Sequence, residues 1–195
     1  MTNLPHQVYD RFQKLIERAR QTCLREPTAM TLATVGGDGR ISARVVLLRS
    51  FDERGFVFYT NLNSDKALQL YANPNAAICF HWDELGEQVR VEGPVERISG
   101  EEADAYWRTR ARDSQIGAWA SHQSETLDSR ETLEHRIAQS EHEFLGQEVP
   151  RPEFWSGFRL VARRIEFWSN RPARLHERTV FELVDDQWSH RMLYP

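Results

Sequence analysis

A chain of 195 residues with 40% hydrophobic and 11% aromatic content is long enough to bury one sizeable core. Its net charge of −4, from 25 basic against 29 acidic residues, excludes a general nucleic-acid binder, which carries a basic excess. No apolar run approaches the roughly 20 residues of a membrane span, and Cys23 and Cys79 are too few for a disulfide framework or a zinc site.

The N-terminus lacks the charged and apolar regions of a signal peptide, so a cytoplasmic protein is expected. Val8, Phe12, Leu15, Ile16, Ala19 and Cys23 recur at helical spacing and predict an amphipathic helix over 6–25, stopped by Pro27. A strand over 28–35, a glycine-rich turn at 36–39 and a returning strand over 41–49 form a hairpin. In the returning strand Val45, Val46, Leu47 and Leu48 are consecutive, so burial on both faces is expected, with Arg44 and Arg49 at its ends. A guanidinium in such a setting needs an anion. Residues 51–55 read as a turn and 56–60 as a third strand. Ser64 is placed to cap a helix over 65–72, and that N-terminus with Lys66 in its first turn suits a phosphate.

Residues 75–82 and 87–98 form a second hairpin, with Pro94 marking a bulge or an edge. Ser99 and Glu102 make a capping box that opens a helix to about residue 109. A short helix through 114–119 and a longer polar one over about 127–144 follow, and strands over 155–168, 178–184 and 187–193 close the chain. Strands joined to their sequence neighbours by short turns, without βαβ alternation, predict a mainly β chain of the α+β class. The expected architecture is an antiparallel sheet closed into a barrel with peripheral helices. One domain over 1–195 is expected, with the 99–145 helices packed on the barrel as an insertion.

Dinucleotide, Walker and nucleophile-elbow motifs are absent, and no histidine cluster has zinc spacing. All basic residues except Lys14 and Lys66 are arginine, which suits fork-like recognition of phosphate. Arg110, Arg112 and Ser114 lie between two helices, either as a second anion site or as a solvated corner. In a strand starting at Arg174, alternation puts Arg174, His176 and Arg178 on one face, a row that calls for something electron-rich across it. Gln123 and Ser124 read locally as a polar loop.

Seven runs then resemble one family in order and spacing: 44–49 (Arg-Val-Val-Leu-Leu-Arg), 58–61 (Phe-Tyr-Thr-Asn), 112–119 (Arg-Asp-Ser-Gln-Ile-Gly-Ala-Trp), 123–124 (Gln-Ser), 154–158 (Phe-Trp-Ser-Gly-Phe), 165–168 (Ile-Glu-Phe-Trp) and 174–178 (Arg-Leu-His-Glu-Arg). The family is the pyridoxine (pyridoxamine) 5'-phosphate oxidases, and the likeness runs from about Pro27 to Pro195. It implies an FMN-binding split β-barrel, a homodimer with FMN in two sites at the subunit interface. The implied reaction is oxidation of pyridoxine or pyridoxamine 5'-phosphate by O2 to pyridoxal 5'-phosphate and H2O2, with ammonia from the amine. No metal, nucleic acid or membrane enters.

By motif position, Arg44, Thr60 and Lys66 hold the FMN phosphate, with Gln123 and Ser124 arriving from the partner chain. Val45 and Tyr59 line the flavin site, and Gln88, Trp168 and Arg178 address the flavin ring. Arg49, Tyr106, Arg110 and Ser114 meet the substrate phosphate, while Arg174 and His176 lie over the substrate ring as the catalytic pair. The chain departs from the family at Arg49, usually lysine, and at Asp65, usually basic, which weakens the expected FMN phosphate site. Its segment before the first helix is also short. The alternatives are a related flavin oxidase of another reduced ring, of the dihydrophenazine type, and a non-catalytic flavin- or pyridoxal-phosphate-binding protein. The Tyr106–Arg110–Ser114 set speaks against the first and the retained Arg174–His176 pair against the second.

Overall fold

Short alternating apolar runs separated by tight turns give a chain dominated by antiparallel strands. The computed structural model describes residues 3–22 and 25–195. Helix α1 (His6–Thr22) leads into β1 (Ala29–Val35), β2 (Ile41–Leu47), β3 (Ser50–Asp52), β4 (Gly55–Asn61), helix α2 (Asp65–Ala72), β5 (Asn75–Trp82) and β6 (Glu87–Arg97). Helices α3 (Gly100–Thr109), α4 (Arg112–Ala120) and α5 (Arg130–Glu143) come next, before β7 (Trp155–Leu160), β8 (Arg164–Ser169), β9 (Glu177–Val184) and β10 (Gln187–Leu193). The expected helix over 6–25 is seen to Thr22, and Cys23 lies outside the described residues.

The strands pair in the order β10-β9-β8-β6-β5-β1-β2, while β7 joins β6 to β4 and β4 pairs with β3. Because β3 continues the chain just past β2, the sheet curls back on itself as the expected barrel, with β8 to β10 extending from β6. The partner change along β6 occurs at Gly93 and Pro94. Residues 87–92 pair with β8 and residues 95–97 with β7. A Cβ on Gly93 would lie 2.1 Å from the Val161 carbonyl oxygen, so only glycine admits that approach. The Val161 N–H donates to the Pro94 carbonyl at 2.8 Å. The single strand expected over 155–168 is therefore two, broken opposite this point. Likewise the short β3 overlaps the start of the expected 51–55 turn, and the Glu177 start of β9 leaves Arg174 outside the strand.

One core fills the barrel and receives α1 through Val8, Phe12, Leu15, Ile16 and Ala19. The Phe12 ring meets Phe51, Phe56 and Phe80 edge-on at centroid distances of 4.8, 5.0 and 5.2 Å. A second cluster, Trp107, Ile116, Phe144, Val149 and Trp155, ties the three later helices to the start of β7. The capping box forms as expected, the Glu102 N–H donating to Ser99 Oγ at 3.1 Å. Among the described residues no helix is long and apolar enough to cross a membrane.

Strand β2 departs from expectation. Val45 is 66% and Ile41 77% exposed, Val46 and Leu47 are half-buried, and only Leu48 is buried. The four consecutive apolar residues do not mark burial on both faces. β2 ends the sheet path, and its outer face has no second layer within one chain.

Candidate active site

Arg44 projects from β2 under α2. Its Nη1 donates to the Leu32 carbonyl at 3.3 Å and to Thr34 Oγ1 at 2.5 Å, and its Nη2 donates to Gln69 Oε1 at 3.0 Å. Gln69 is fixed in turn, accepting from the Thr34 hydroxyl at 2.6 Å and donating to Ser42 Oγ at 3.1 Å. Beside this network Lys66 Nζ donates to Thr60 Oγ1 at 3.2 Å and to Ser64 Oγ at 3.3 Å. Ser64 has the extended backbone of an N-cap, but its hydroxyl donates to the Asn61 carbonyl at 2.7 Å and makes no side-chain cap. The expected capping role is thus replaced by a turn bond that holds the entry to α2.

Burial lowers the proton affinity of Lys66, and the nearby Arg44 lowers it further against a partial offset from Asp65. Burial likewise lowers that of Arg44, again opposed by Asp65. Two cations held together under hydroxyls and an amide form a donor set that fits a phosphate dianion.

Gln123 and Ser124 complete this corner from the same chain. Thr60 Oγ1 donates to Gln123 Oε1 at 3.3 Å, and the Asp65 N–H donates to Ser124 Oγ at 3.2 Å. Delivery of both by a partner chain is therefore corrected, because the loop after α4 folds back over the start of α2. Ser124 holds φ at +76°, a strained conformation for a serine and of the kind that collects at binding sites.

A second set of donors opens onto the same cavity of about 580 Å³. Arg49 follows β2, Tyr106 and Arg110 come from the end of α3, and Ser114 from the first turn of α4. The Arg110 guanidinium lies 4.7 Å from the Trp155 ring and 5.4 Å from Trp107, and its Nη2 donates to the Ser114 carbonyl at 2.8 Å. Its Nε is buried without a hydrogen-bond partner, the sole such side-chain atom among the described residues. Burial lowers the proton affinity of Arg110, opposed by Tyr106 and reinforced by Arg49. This guanidinium is again short of an anion. Val45 and Tyr59 also line the cavity. Burial, with Glu102 nearby, pushes the Tyr59 hydroxyl up to about 12, so it stays protonated.

The remaining predicted residues form a separate group. Gln88 pairs with Trp168 across β6 and β8, and Trp168 with Arg178 across β8 and β9. The His176 ring lies 4.5 Å from that of Trp168. Arg174 ends a 3-10 turn (Pro172–Arg174) with φ at +61°, so the expected single-face alternation of Arg174, His176 and Arg178 does not arise. The electron-rich partner of Arg178 is Glu166, which accepts from its Nε at 2.7 Å and from Arg164 at 3.1 Å while only 2% exposed. Burial pushes the Glu166 carboxyl up, but the bonds from Arg178 and Arg164 outweigh it and hold it below the usual range. Among the described residues, the lining of the cavity includes none of Gln88, Trp168, Arg174, His176 and Arg178. Strands β1 and β5 stand between β2 and β6.

Sequence reasoning missed Gln69, Glu166 and Trp155. Glu166 stands in an apolar strand run, where an acidic residue facing several arginines is a readable signal. Gln69 carries none outside its spatial setting, and Trp155 is marked only by its place in the 154–158 run.

Residues 16–143 match the family model described as pyridoxamine 5'-phosphate oxidase, and residues 155–195 match that described as the pyridoxine 5'-phosphate oxidase C-terminal dimerisation region. A pyridoxine/pyridoxamine 5'-phosphate oxidase of Myxococcus xanthus is 56% identical over 98% of this chain and 93% of its own. One of Alkalilimnicola ehrlichii is 52% identical over 98% and 99%. Among solved structures, PhzG of Burkholderia lata in complex with tetrahydrophenazine-1-carboxylic acid superposes with a TM-score of 0.90 at 34% identity, over 99% of this chain and 93% of that one. An FMN-binding, pyridoxamine 5'-phosphate oxidase-related protein of Nostoc punctiforme shares the fold, with a TM-score of 0.77 at 20% identity over 95% and 96%.

Proposed function

Since the chain belongs to the pyridoxamine 5'-phosphate oxidase family and is an oxidoreductase, we propose that it binds FMN and oxidises pyridoxine or pyridoxamine 5'-phosphate to pyridoxal 5'-phosphate. O2 is the acceptor, H2O2 the coproduct, and the amine releases ammonia. The observation that carries this reading is one cavity fed by two separate anion-hungry donor sets. Arg44, Lys66, Thr60, Gln123 and Ser124 would hold the FMN phosphate, with Val45 and Tyr59 along the flavin. Arg49, Tyr106, Arg110 and Ser114 would hold the substrate phosphate. Bound FMN would accept a hydride from the substrate carbon that bears the amine or alcohol and pass the electrons to O2.

The chain's part is positioning and electrostatics. Each charge-assisted bond to a phosphate contributes about 1.5–3 kcal/mol, so a few on each ligand fix the distance between the two rings. We place the second group of residues at the cavity of a second copy in a homodimer. Support comes from the match of 155–195 to a dimerisation region and from the bare outer face of the sheet around Val45. In that arrangement Gln88, Trp168 and Arg178 would hold the flavin ring, with Arg178 supplying positive charge beside it. Arg174 and His176 close over the substrate.

PhzG, the solved relative with a tetrahydrophenazine ligand, keeps a reduced tricyclic substrate in view. The uncompensated Arg110 beside Arg49 calls for an anion, and two neighbouring cations suit the double charge of a phosphate ester better than the single charge of a phenazine carboxylate. Peroxide release with pyridoxine 5'-phosphate, unphosphorylated pyridoxine and a dihydrophenazine carboxylate separates the two. The phosphate ester should be turned over at least a hundredfold more efficiently. Equal or better turnover of the phenazine would replace this reading with the other.

A further inference from the structure

Three flat rings stack along the wall of the cavity. Tyr59 lies 4.0 Å and 18° from Tyr106 and 5.1 Å and 11° from Trp155, and Tyr106 lies 6.1 Å and 10° from Trp155, so the three form a triangle of near-parallel rings. Trp155 is 4% exposed, opens β7 opposite Asn61 of β4, and meets Trp107 edge-on at 4.9 Å. Its backbone is pinned as well, the carbonyl accepting from Arg151 at 2.8 Å while Arg151 bonds Asp104 at 2.6 Å. Over the Trp155 face of this ring group rests the Arg110 guanidinium, which among the described residues has no carboxylate against it. Among the described residues its one hydrogen bond is Nη2 to the Ser114 carbonyl, and its buried Nε has no partner.

A long side chain with four rotatable bonds would ordinarily lose much rotamer freedom on grasping a phosphate. Here a π face holds it in place and offers no hydrogen-bond acceptor that competes with a ligand. We propose that Trp155 is a positioning residue for substrate recognition, an indole shelf that presents the Arg110 guanidinium to the phosphate of the substrate. Tyr59 and Tyr106 keep the shelf flat, and Trp155 needs no contact with the reacting carbon. The inference rests on the assignment of Arg110 to the substrate phosphate.

The test compares Trp155→Leu, Trp155→Phe and Arg110→Ala in the FMN-loaded enzyme. The kinetics use pyridoxine 5'-phosphate and unphosphorylated pyridoxine, and equilibrium dialysis measures the binding of pyridoxal 5'-phosphate. Trp155→Leu should raise KM for the phosphate ester and the dialysis Kd together by about five- to tenfold, the scale of one half-buried cation–π contact. It should leave kcat, the FMN Kd and the reaction of unphosphorylated pyridoxine within twofold. Trp155→Phe, which keeps a flat face, should recover most of the loss and serves alone if the leucine variant does not fold. In that case a KM shift of two- to threefold, confined to the phosphate ester, is expected. Equal losses for both substrates, or loss of FMN in parallel, would make Trp155 scaffold only and overturn the proposal. Arg110→Ala separates the two levels. If it leaves the preference for the phosphate ester intact, the assignment of Arg110 fails and the shelf with it. If it abolishes the preference while both Trp155 variants retain wild-type KM, only the shelf fails.

Discussion

Arg44→Ala should strip the flavin from the protein while leaving the fold in place. The guanidinium makes three hydrogen bonds, to Leu32 O, Thr34 Oγ1 and Gln69 Oε1, and its charge lowers the proton affinity of Lys66. Two charge-assisted bonds to an FMN phosphate at about 1.5–3 kcal/mol each set the gross loss at about 3–6 kcal/mol. Part of that returns, because Lys66 regains a more ordinary proton affinity once the neighbouring cation has gone. A net loss of about 3–4 kcal/mol corresponds to roughly 100- to 1,000-fold weaker FMN binding. The apoprotein loses three hydrogen bonds to neutral acceptors at about 0.5–1.5 kcal/mol each, roughly 2–4 kcal/mol in all. Arg44→Lys keeps the charge but cannot reach Thr34 and Gln69 as a planar fork, so it should fall between the two. Quenching of FMN fluorescence on titration gives the affinity, and urea unfolding of the apoprotein gives the stability. FMN binding within threefold of wild type in Arg44→Ala, with the apoprotein folded, would refute the assignment of this corner to the phosphate.

Asp65 offsets both Arg44 and Lys66 through its nearby charge, so it competes with an incoming phosphate, and Asp65→Asn should tighten FMN by about two- to fivefold, within the range of an exposed charge interaction; weaker binding in the same titration would count against it. The pH dependence follows from Lys66, whose folded proton affinity lies below its ordinary value. As pH rises through that lowered value FMN affinity should fall, at a pH lower than an unperturbed lysine would give. Apoprotein stability should rise over the same interval, because the unfolded chain then binds the extra proton. Lys66→Arg should remove the alkaline fall in affinity, and a fall that persists in that variant would assign it to another group. The double variant Arg174→Ala, His176→Ala should lower kcat at least a hundredfold with FMN affinity within threefold, and unchanged turnover would withdraw the catalytic assignment.

The sequence carried most of the framework because its signals were local. The 75–82 and 87–97 strands alternate cleanly about a tight turn, the Ser99–Glu102 box starts its helix where expected, and Asp65–Ala72 is bounded by Ser64 and Asn73–Pro74. What failed depended on distant chain. The exposure of Val45 comes from β2 lying at the end of the sheet path, and the break at 161–163 from Gly93 and Pro94 of another strand. Gln123 and Ser124 have no local pattern, and their place beside Thr60 and Asp65 exists only once α4 folds back. Trp155 stood in the 154–158 run that carries the resemblance, but its place against Tyr59, Tyr106 and the Arg110 guanidinium exists only in the folded chain.

The most direct test of the proposed activity is anaerobic reduction. The FMN-loaded protein is mixed with pyridoxine 5'-phosphate without oxygen while the flavin band near 450 nm is followed (about the usual position for an oxidised flavin). The band should bleach and pyridoxal 5'-phosphate should form, with colour returning and one equivalent of H2O2 appearing on aeration. A flavin that binds but stays yellow with this substrate would contradict the proposed reaction.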